Sequence, residues 1–329
     1  MKQKPEMILN SPILKDNGGE LQPGRIYFAN ASRFDAMHLS EPLTGYIVGW
    51  QDPESLEALL EGIAPKVPAG RFFTYRLMDN AQYLLSETQD DLRAIGADFK
   101  RVAFTGTTAE GKTDNRGLTI RIDFDEDDDS DTLRQAYTRL LTQRLMRNRV
   151  RRAVALIDAA STNANVSFTT STNPDALMRA MVGLSRDATG VRPTKLLIGD
   201  TAWQYRLDAY EGKTSGDALA AAALARDYAS LARYLGVQSV LPVSAMYQSA
   251  AATKNMIIGA ATYAYYAESG LTKMDPSNVK RFVSNTRSGQ ELAVWVEEHP
   301  KYVDISVECY ERTIVVATAG MRKQTVASA

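Results

Sequence analysis

Residues 106–113 read Gly-Thr-Thr-Ala-Glu-Gly-Lys-Thr and match the phosphate-binding pattern G-x-x-x-x-G-K-S/T in full. Such a loop binds phosphate because its backbone N–H groups and the positive end of the following helix converge on the anion, while the lysine adds a charge. Here, residues 114–117 favour a turn, and residues 118–124 alternate between apolar and polar, which predicts a strand. We therefore expect Gly106 to Gly117 to lie at the mobile tip of a long β-hairpin. The alternative is a P-loop NTPase using Gly106–Thr113, with Lys112 and Thr113 as phosphate and magnesium ligands.

An acidic run after this strand offers a second candidate site, since Asp125, Asp127 and Asp129 stand at alternate positions. This spacing is that of the first calcium ligands of an EF-hand loop. The sixth position of such a loop requires glycine and the twelfth requires glutamate, whereas the chain has Ser130 and Ala136 there. We therefore predict no metal site, no cofactor and no catalytic residue. Weak adventitious cation binding to the run is the alternative.

The composition argues against several other kinds of chemistry. With two histidines in 329 residues, His38 and His299, a multi-histidine metal site is nearly excluded and a histidine-dependent triad has few members to choose from. The single cysteine, Cys309, cannot form an internal disulfide, which is typical of a reducing compartment. A net charge of −1 argues against a dedicated nucleic-acid binder, and no apolar run approaches the ~18 residues of a membrane span. We expect a soluble intracellular protein of roughly two domains, or of one elaborate domain.

The longest helical pattern begins just after the acidic run. Residues 131–161 contain neither glycine nor proline, and their apolar side chains recur at spacings of three and four. Arg144, Arg147 and Arg151 follow the same spacing and should form a row on one side of the helix. We predict that this arginine row contacts carboxylates of an adjacent copy, because guanidinium groups suit such pairing; a solvated helix face is the alternative. The candidate partners are the carboxylates of the acidic run: Asp125, Asp127 and Asp129.

The remaining patterns divide the chain into regions of different character. Residues 1–70 are rich in proline and glycine, with a convincing helical pattern only over 52–62, and are better described as an arm than as a domain. From about residue 173 the pattern is α/β: Asn173 caps a helix that Gly190 ends, and Asp200 or Thr201 caps the next helix. The other predicted elements are a helix over 216–235 and strands over 194–198, 237–243, 255–259, 279–284, 292–297, 302–310 and 313–318.

The order of these elements resembles that of the major capsid protein of tailed double-stranded DNA bacteriophages. Residues 115–123 are similar to the family's return strand before its spine helix, residues 190–203 to a helix end, strand and tryptophan-bearing helix, and residues 307–312 to its C-terminal close. The resemblance implies the α+β fold of that family. The implied regions are an N-terminal arm over 1–70, an extended β-hairpin loop over 71–129, a peripheral domain with the spine helix over 130–172 and 279–312, an axial α/β domain over 173–278 and 313–320, and a C-terminal tail over 321–329.

The function that this resemblance implies is self-assembly into hexamers and pentamers of an icosahedral phage head around double-stranded DNA. It further implies a non-enzymatic structural role, contacts with scaffold, portal and decoration proteins, non-specific contact with packaged DNA, and no membrane partner. The expected location is the virion capsid, assembled in the cytoplasm of a host bacterium. An encapsulin-like nanocompartment shell, which encloses protein cargo instead of a genome, is the alternative from the same architecture.

Overall fold

A computed structural model describes residues 37–77, 92–93, 95–96, 98–99, 107–125, 129–212, 227–250, 253–268 and 277–328. The helices are α1 (Glu41–Gly49), α2 (Leu56–Ile63), α3 (Asp131–Ala160), α4 (Pro174–Thr189), α5 (Asp200–Glu211) and α6 (Tyr228–Leu235). The strands are β1 (Met37–Leu39), β2 (Lys66–Pro68), β3 (Phe72–Leu77), β4 (Thr107–Lys112), β5 (Asp114–Asp123), β6 (Thr162–Phe168), β7 (Lys195–Gly199), β8 (Ser239–Val243), β9 (Met246–Ala250), β10 (Thr253–Met256), β11 (Ala261–Tyr265), β12 (Val279–Ser284), β13 (Leu292–Glu298), β14 (Tyr302–Val315) and β15 (Arg322–Ser328).

The chain divides into two compact units. The first comprises the described residues of 1–50, 117–142 and 286–309, and the second those of 51–116, 143–285 and 310–329. Both α3 and β14 contribute residues to each unit, because the unit boundaries fall within them. The predicted domain boundaries are a finer division of the chain and stay a prediction.

The first unit contains antiparallel strands, and the short helix α1 is attached to one of them, β13. β13 pairs with β1 and with the first part of β14, and β5 also pairs with β14. Helix α1 is fixed to β13 because the Val294 backbone N–H donates to the Thr44 hydroxyl at 3.1 Å and the Ser40 backbone N–H donates to the Val294 carbonyl at 2.9 Å. The Ser40 hydroxyl caps this helix. The sequence patterns did not predict α1, because Pro42 and Gly45 obscure its period.

The second unit is built on a five-stranded sheet in the order β6-β15-β11-β7-β8. β6 with β15 and β7 with β8 are parallel pairs, while β11 is antiparallel to both of its neighbours. Helices α4, α5 and α6 contribute to the core cluster over this sheet. Its buried members include Met178, Leu196, Ile198, Trp203 and Leu235.

The predicted helices of this unit are largely confirmed. Asn173 caps α4, accepting from the backbone N–H of Asp175 and Ala176, and Gly190 ends it at a φ of 71°. The predicted cap of α5 is wrong, since α5 begins at Asp200 after Gly199 without a side-chain capping bond. Of the helix predicted over 216–235, the described part begins at Tyr228, and residues 213–226 lie outside the described residues.

Several strands differ from the sequence prediction. The separate strands predicted over 302–310 and 313–318 are one strand, Tyr302–Val315, because the chain continues extended past Arg312. The strand expected over 255–259 is Thr253–Met256, and the central strand Ala261–Tyr265 was not predicted. Residues 321–329, predicted as a C-terminal tail, contain β15, which pairs with both β11 and β6.

A buried ion cluster joins α3 to the last part of β14 and to β12. The Arg149 side chain is fully buried, and its Nε donates to Glu311 Oε2 at 2.6 Å. Arg152 donates to the other carboxylate oxygen at 3.1 Å, and the Arg281 guanidinium lies 3.7 Å from Glu311. Glu61, on α2, accepts from Arg281 at 2.9 Å. One carboxylate thus holds arginines from two elements in fixed positions.

We expect Glu311→Gln to lower the free energy of unfolding by about 3–5 kcal/mol, because the amide preserves shape but leaves the buried Arg149 charge uncompensated. Chemical denaturation of the two proteins measures the difference. Glu110→Gln, at an exposed position of the same unit, is the matched control and should stay within about 0.5 kcal/mol of the wild type. Equal unfolding midpoints for Glu311→Gln and the control would contradict the role given to the cluster.

Candidate functional site

The phosphate-loop pattern lies in a β-strand. Residues 107–112 form β4, which pairs antiparallel with β3, and Gly111 stands opposite Phe73. A Cβ at Gly111 would lie 2.6 Å from the Phe73 ring, so the glycine is needed for aromatic packing. Thr113 is buried, and its backbone N–H and hydroxyl both donate to the Arg71 carbonyl, at 2.9 and 3.4 Å. The strand predicted after the motif is confirmed, since β5 follows residue 113 and the helix N-terminus that a phosphate loop needs is not formed there.

The predicted location of Gly111 and Gly117 at a hairpin tip is wrong. Residues 107–112 are paired along the strand, and residue 113 leads directly into β5. Gly117 lies within β5, where a Cβ would meet the Val307 carbonyl oxygen at 2.7 Å. Both glycines therefore serve close approach between strands. Gly106 lies outside the described residues.

The return strand predicted over 115–123 is confirmed as part of β5. Its polar face is paired with β14: the Arg121 guanidinium donates two bonds of 2.9 Å to Asp304, and Thr119 and Ser306 hydroxyls lie 2.7 Å apart. The Arg121 guanidinium also lies 3.6 Å from the centroid of the Tyr302 ring. These contacts explain why charged and hydroxyl residues alternate with apolar residues along this strand.

Two of the three predicted carboxylates of the acidic run are described, and within the described part of the chain Asp129 forms an ion pair while Asp125 does not. Asp125 is exposed. Asp129 accepts two bonds from the Arg134 guanidinium at 2.6 and 2.5 Å, and Arg134 also donates to Glu298 at 3.2 Å. The hydrogen bonds from Arg134 lower the pKa of Asp129. Asp127 lies outside the described residues, and among those described no group of side chains could hold a metal ion.

The three members of the arginine row have different surroundings. Arg144 is exposed and has no ion pair among the described residues. Arg147 forms an ion pair with Glu54, and the Arg151 guanidinium lies 3.6 Å from the centroid of the Tyr247 ring. Two members of the row therefore have partners within their own chain. Whether the row also contacts an adjacent copy stays a prediction.

The sequence patterns missed the interior arginine of α3. Arg149 follows Met146 by three positions and precedes Ala153 by four, so it lies on the apolar side of the helix. A charged residue on that stripe was a signal that a buried partner exists, and the partner is Glu311. Arg149 and Glu311 are far apart in the sequence, so the pairing could not be predicted from it.

No helix in the described part of the chain is long and apolar enough to cross a membrane.

The chain was compared with known proteins. No protein-family model and no curated protein matches it. Among solved structures it is similar to a phage-related protein from Bordetella bronchiseptica, with a TM-score of 0.62 and 13% identity over 87% of this chain and 96% of that one. It is also similar to the capsid of cyanophage P-SCSP1u (TM-score 0.48, 10% identity, 96% and 95% of the two chains). A third likeness is to Mycobacterium phage Che8 (TM-score 0.47, 13% identity, 84% and 92%).

The likeness to the Bordetella protein shows a shared fold. The α+β fold predicted from the sequence is confirmed by the mixture of helices and sheets.

We expect Lys112→Ala to leave the fold intact, and the wild-type protein to show no saturable binding of ATP or GTP at millimolar nucleotide. Gly111→Ala should instead lower the free energy of unfolding by about 1–3 kcal/mol, because its methyl group would overlap the Phe73 ring. Calorimetry with nucleotide and denaturation of both variants test the pair. Micromolar nucleotide affinity that disappears in Lys112→Ala would restore the NTPase hypothesis.

The lowered pKa of Asp129 predicts an acid-dependent loss of stability. A carboxyl group with a lowered folded-state pKa stabilises the protein above its ordinary value of about 3.9, and this contribution is lost as the pH falls through the lowered value. Asp129→Asn should therefore be less stable than the wild type near neutral pH, and the difference should shrink on acidification below about pH 4. Thermal unfolding against pH measures this, with Asp125→Asn as the exposed control. A constant difference at every pH would refute the assignment.

Proposed function

We propose that this chain is a major capsid protein that assembles into hexamers and pentamers of an icosahedral phage head. The proposal is supported most by the fold shared with a phage-related protein at a TM-score of 0.62. The family resemblance of residues 115–123, 190–203 and 307–312 supports it independently, because that resemblance was read from the sequence. The role is structural and non-enzymatic.

Exposed apolar side chains are consistent with surfaces that further copies cover. Phe72 is 73% exposed, Val48 and Leu184 are each 58% exposed, and Leu140 is 53% exposed. Single apolar residues at the surface are ordinary in a monomer, so no one of them defines an interface. In a ring of copies, however, heterologous contacts of about 800 Å² per partner suffice, because closure and multiplicity add stability.

The finer features of the proposal follow the capsid architecture. They comprise the arm over 1–70, the hairpin loop over 71–129, and the peripheral and axial domains with the boundaries given above. Scaffold, portal and decoration proteins and packaged double-stranded DNA are the proposed partners. The proposed location is the virion capsid, assembled in the cytoplasm of the host bacterium. Cargo distinguishes this proposal from a nanocompartment shell, since purified particles should contain DNA and no enclosed enzyme.

Within this proposal, Arg144 is the member of the arginine row best suited to a contact between copies. It is exposed and has no ion pair among the described residues, whereas Arg147 already pairs with Glu54. A guanidinium without a partner in its own chain loses no existing bond when it binds a carboxylate of another copy. The proposed carboxylate is one of the acidic run, in which Asp125 is exposed.

We expect Arg144→Glu to give a folded subunit that no longer forms large particles, because the reversed charge would repel the opposing carboxylate. Raised salt should weaken wild-type assembly in the same direction. Circular dichroism checks folding, and sedimentation with negative-stain microscopy reports particle size. Arg139→Glu, also exposed on α3, is the matched control and should assemble normally. Particles of wild-type size from Arg144→Glu would assign Arg144 to the solvated face of the helix.

A further inference from the structure

A cavity lies in the second unit between the C-terminal half of α3, the β9–β10 hairpin and strands β11 and β15. Its charged lining is Arg151, Arg152, Lys323 and Asp158, and its uncharged polar lining includes two tyrosines, Tyr247 and Tyr263. Three cations therefore face one carboxylate. Two of the three cations are already paired with carboxylates of the chain, Lys323 with Asp158 and Arg152 with Glu311.

Asp158 is matched by two donors. Lys323 Nζ lies 2.5 Å from its carboxylate, and the Tyr263 hydroxyl donates to it at 2.7 Å. Burial raises the pKa of Asp158, but these two hydrogen bonds outweigh burial and the pKa is lowered, so the group is charged at neutral pH. Arg152 binds Glu311 at 3.1 Å. Lys323, Arg152 and Asp158 are thus all engaged.

Arg151 is the cation whose charge has no carboxylate partner among the described residues. Its guanidinium lies 3.6 Å from the centroid of the Tyr247 ring, so the two groups are in close contact. An aromatic ring fixes a guanidinium through its face and leaves the N–H groups at its edge available for an oxyanion. Arg151 is half-buried, so its side chain has less conformational freedom than that of a fully exposed arginine.

The cavity walls contribute no further negative charge over long stretches of sequence. Residues 228–267, which form β9, β10 and β11, contain no aspartate or glutamate, and neither do residues 312–329, which form β15. On the face of the hairpin that carries Tyr247, Ser249 is exposed and the Asn255 amide donates to its hydroxyl at 3.2 Å, whereas Gln248 and Lys254 lie on the opposite face. A polyanion approaching the cavity along the Tyr247 face therefore meets hydroxyl and amide groups, and no carboxylate on the hairpin repels it.

We propose that this cavity binds a phosphate of the nucleic-acid backbone, with Arg151 as its principal ligand and the polar hairpin as an adjoining contact. The inference rests on the proposed function, because packaged DNA is then the polyanion at hand. Amide and hydroxyl side chains bind phosphate oxygens without regard to base sequence, and the hairpin face beside Tyr247 carries Asn255 and Ser249. Arginine supplies the two parallel donors that phosphate accepts.

The test is the binding of a fluorescently labelled, random-sequence DNA duplex to the full-length protein, measured by anisotropy over a range of salt concentrations. Arg151→Gln should bind roughly tenfold more weakly at about 50 mM salt, and its slope of log affinity against log salt should fall by about 0.9, the value for one phosphate contact. Arg151→Lys should recover part of the loss, because it restores the charge without the planar fork. Arg186→Gln, a surface arginine of α4 paired with Asp187, is the matched control.

Loss in Arg151→Gln with recovery in Arg151→Lys, and no change in the control, would support the site. Equal weakening in Arg151→Gln and Arg186→Gln would overturn it, because only general surface charge would then matter. Displacement of DNA by polyglutamate at equal charge concentration would also overturn it, by assigning the cavity to protein carboxylates. Sedimentation without DNA separates the two proposals: particles that bind no DNA contradict only this site, and DNA binding without any particle formation contradicts only the capsid function.

Discussion

The buried carboxylate of Glu311 constrains how a helix and two strands of the second unit pack together. Glu311 leaves only 3% of its side chain exposed, and it binds the fully buried Arg149 of α3 while lying beside Arg281 of β12. Removing charges from water costs several kcal/mol per ion unless partners and hydrogen bonds replace the lost hydration. The charges are therefore compensated only when α3, β12 and β14 keep the relative positions that bring Arg149 and Arg281 to Glu311. A rotation of α3 that moved Arg149 from this position would leave a charge buried without its partner.

The same residue type has very different roles along α3, and burial decides which. Arg149 is internal and holds the sheet, whereas Arg147 forms an ion pair with Glu54 that is partly open to solvent. Arg151 lies on a tyrosine ring, and Arg144 is exposed. Removing one partner of a shielded pair is costly because a buried charge is left uncompensated, whereas an ion pair near water contributes little. Arg144 and Arg151 have no carboxylate partner among the described residues, and they are the positions that we propose bind a copy of the chain and nucleic acid, respectively.

The phosphate-loop pattern shows how a motif can arise from packing alone. Gly111 leaves space for the Phe73 ring and Gly117 for the Val307 carbonyl, so each glycine answers a steric requirement of paired strands. Lys112 lies with its Nζ 5.5 Å from the centroid of the exposed Phe72 ring. Glycine and lysine at these spacings therefore satisfy a pattern whose chemistry would require a following helix.

Local physics made much of the fold readable from the sequence. Caps and stops such as Asn173 and Gly190, the unbroken period of α3 and the alternation along β5 each act over a few residues, and those elements were predicted. The sequence likewise argued against a phosphate loop, because residues 118–124 alternate as a strand does. Tertiary structure alone decided the rest. Residues 322–328 become a strand because β11 and β6 flank them, and Arg149 finds Glu311 across a long sequence separation. Neither pairing has a local signal, since strand partners and buried ion pairs are chosen by the packing of distant segments.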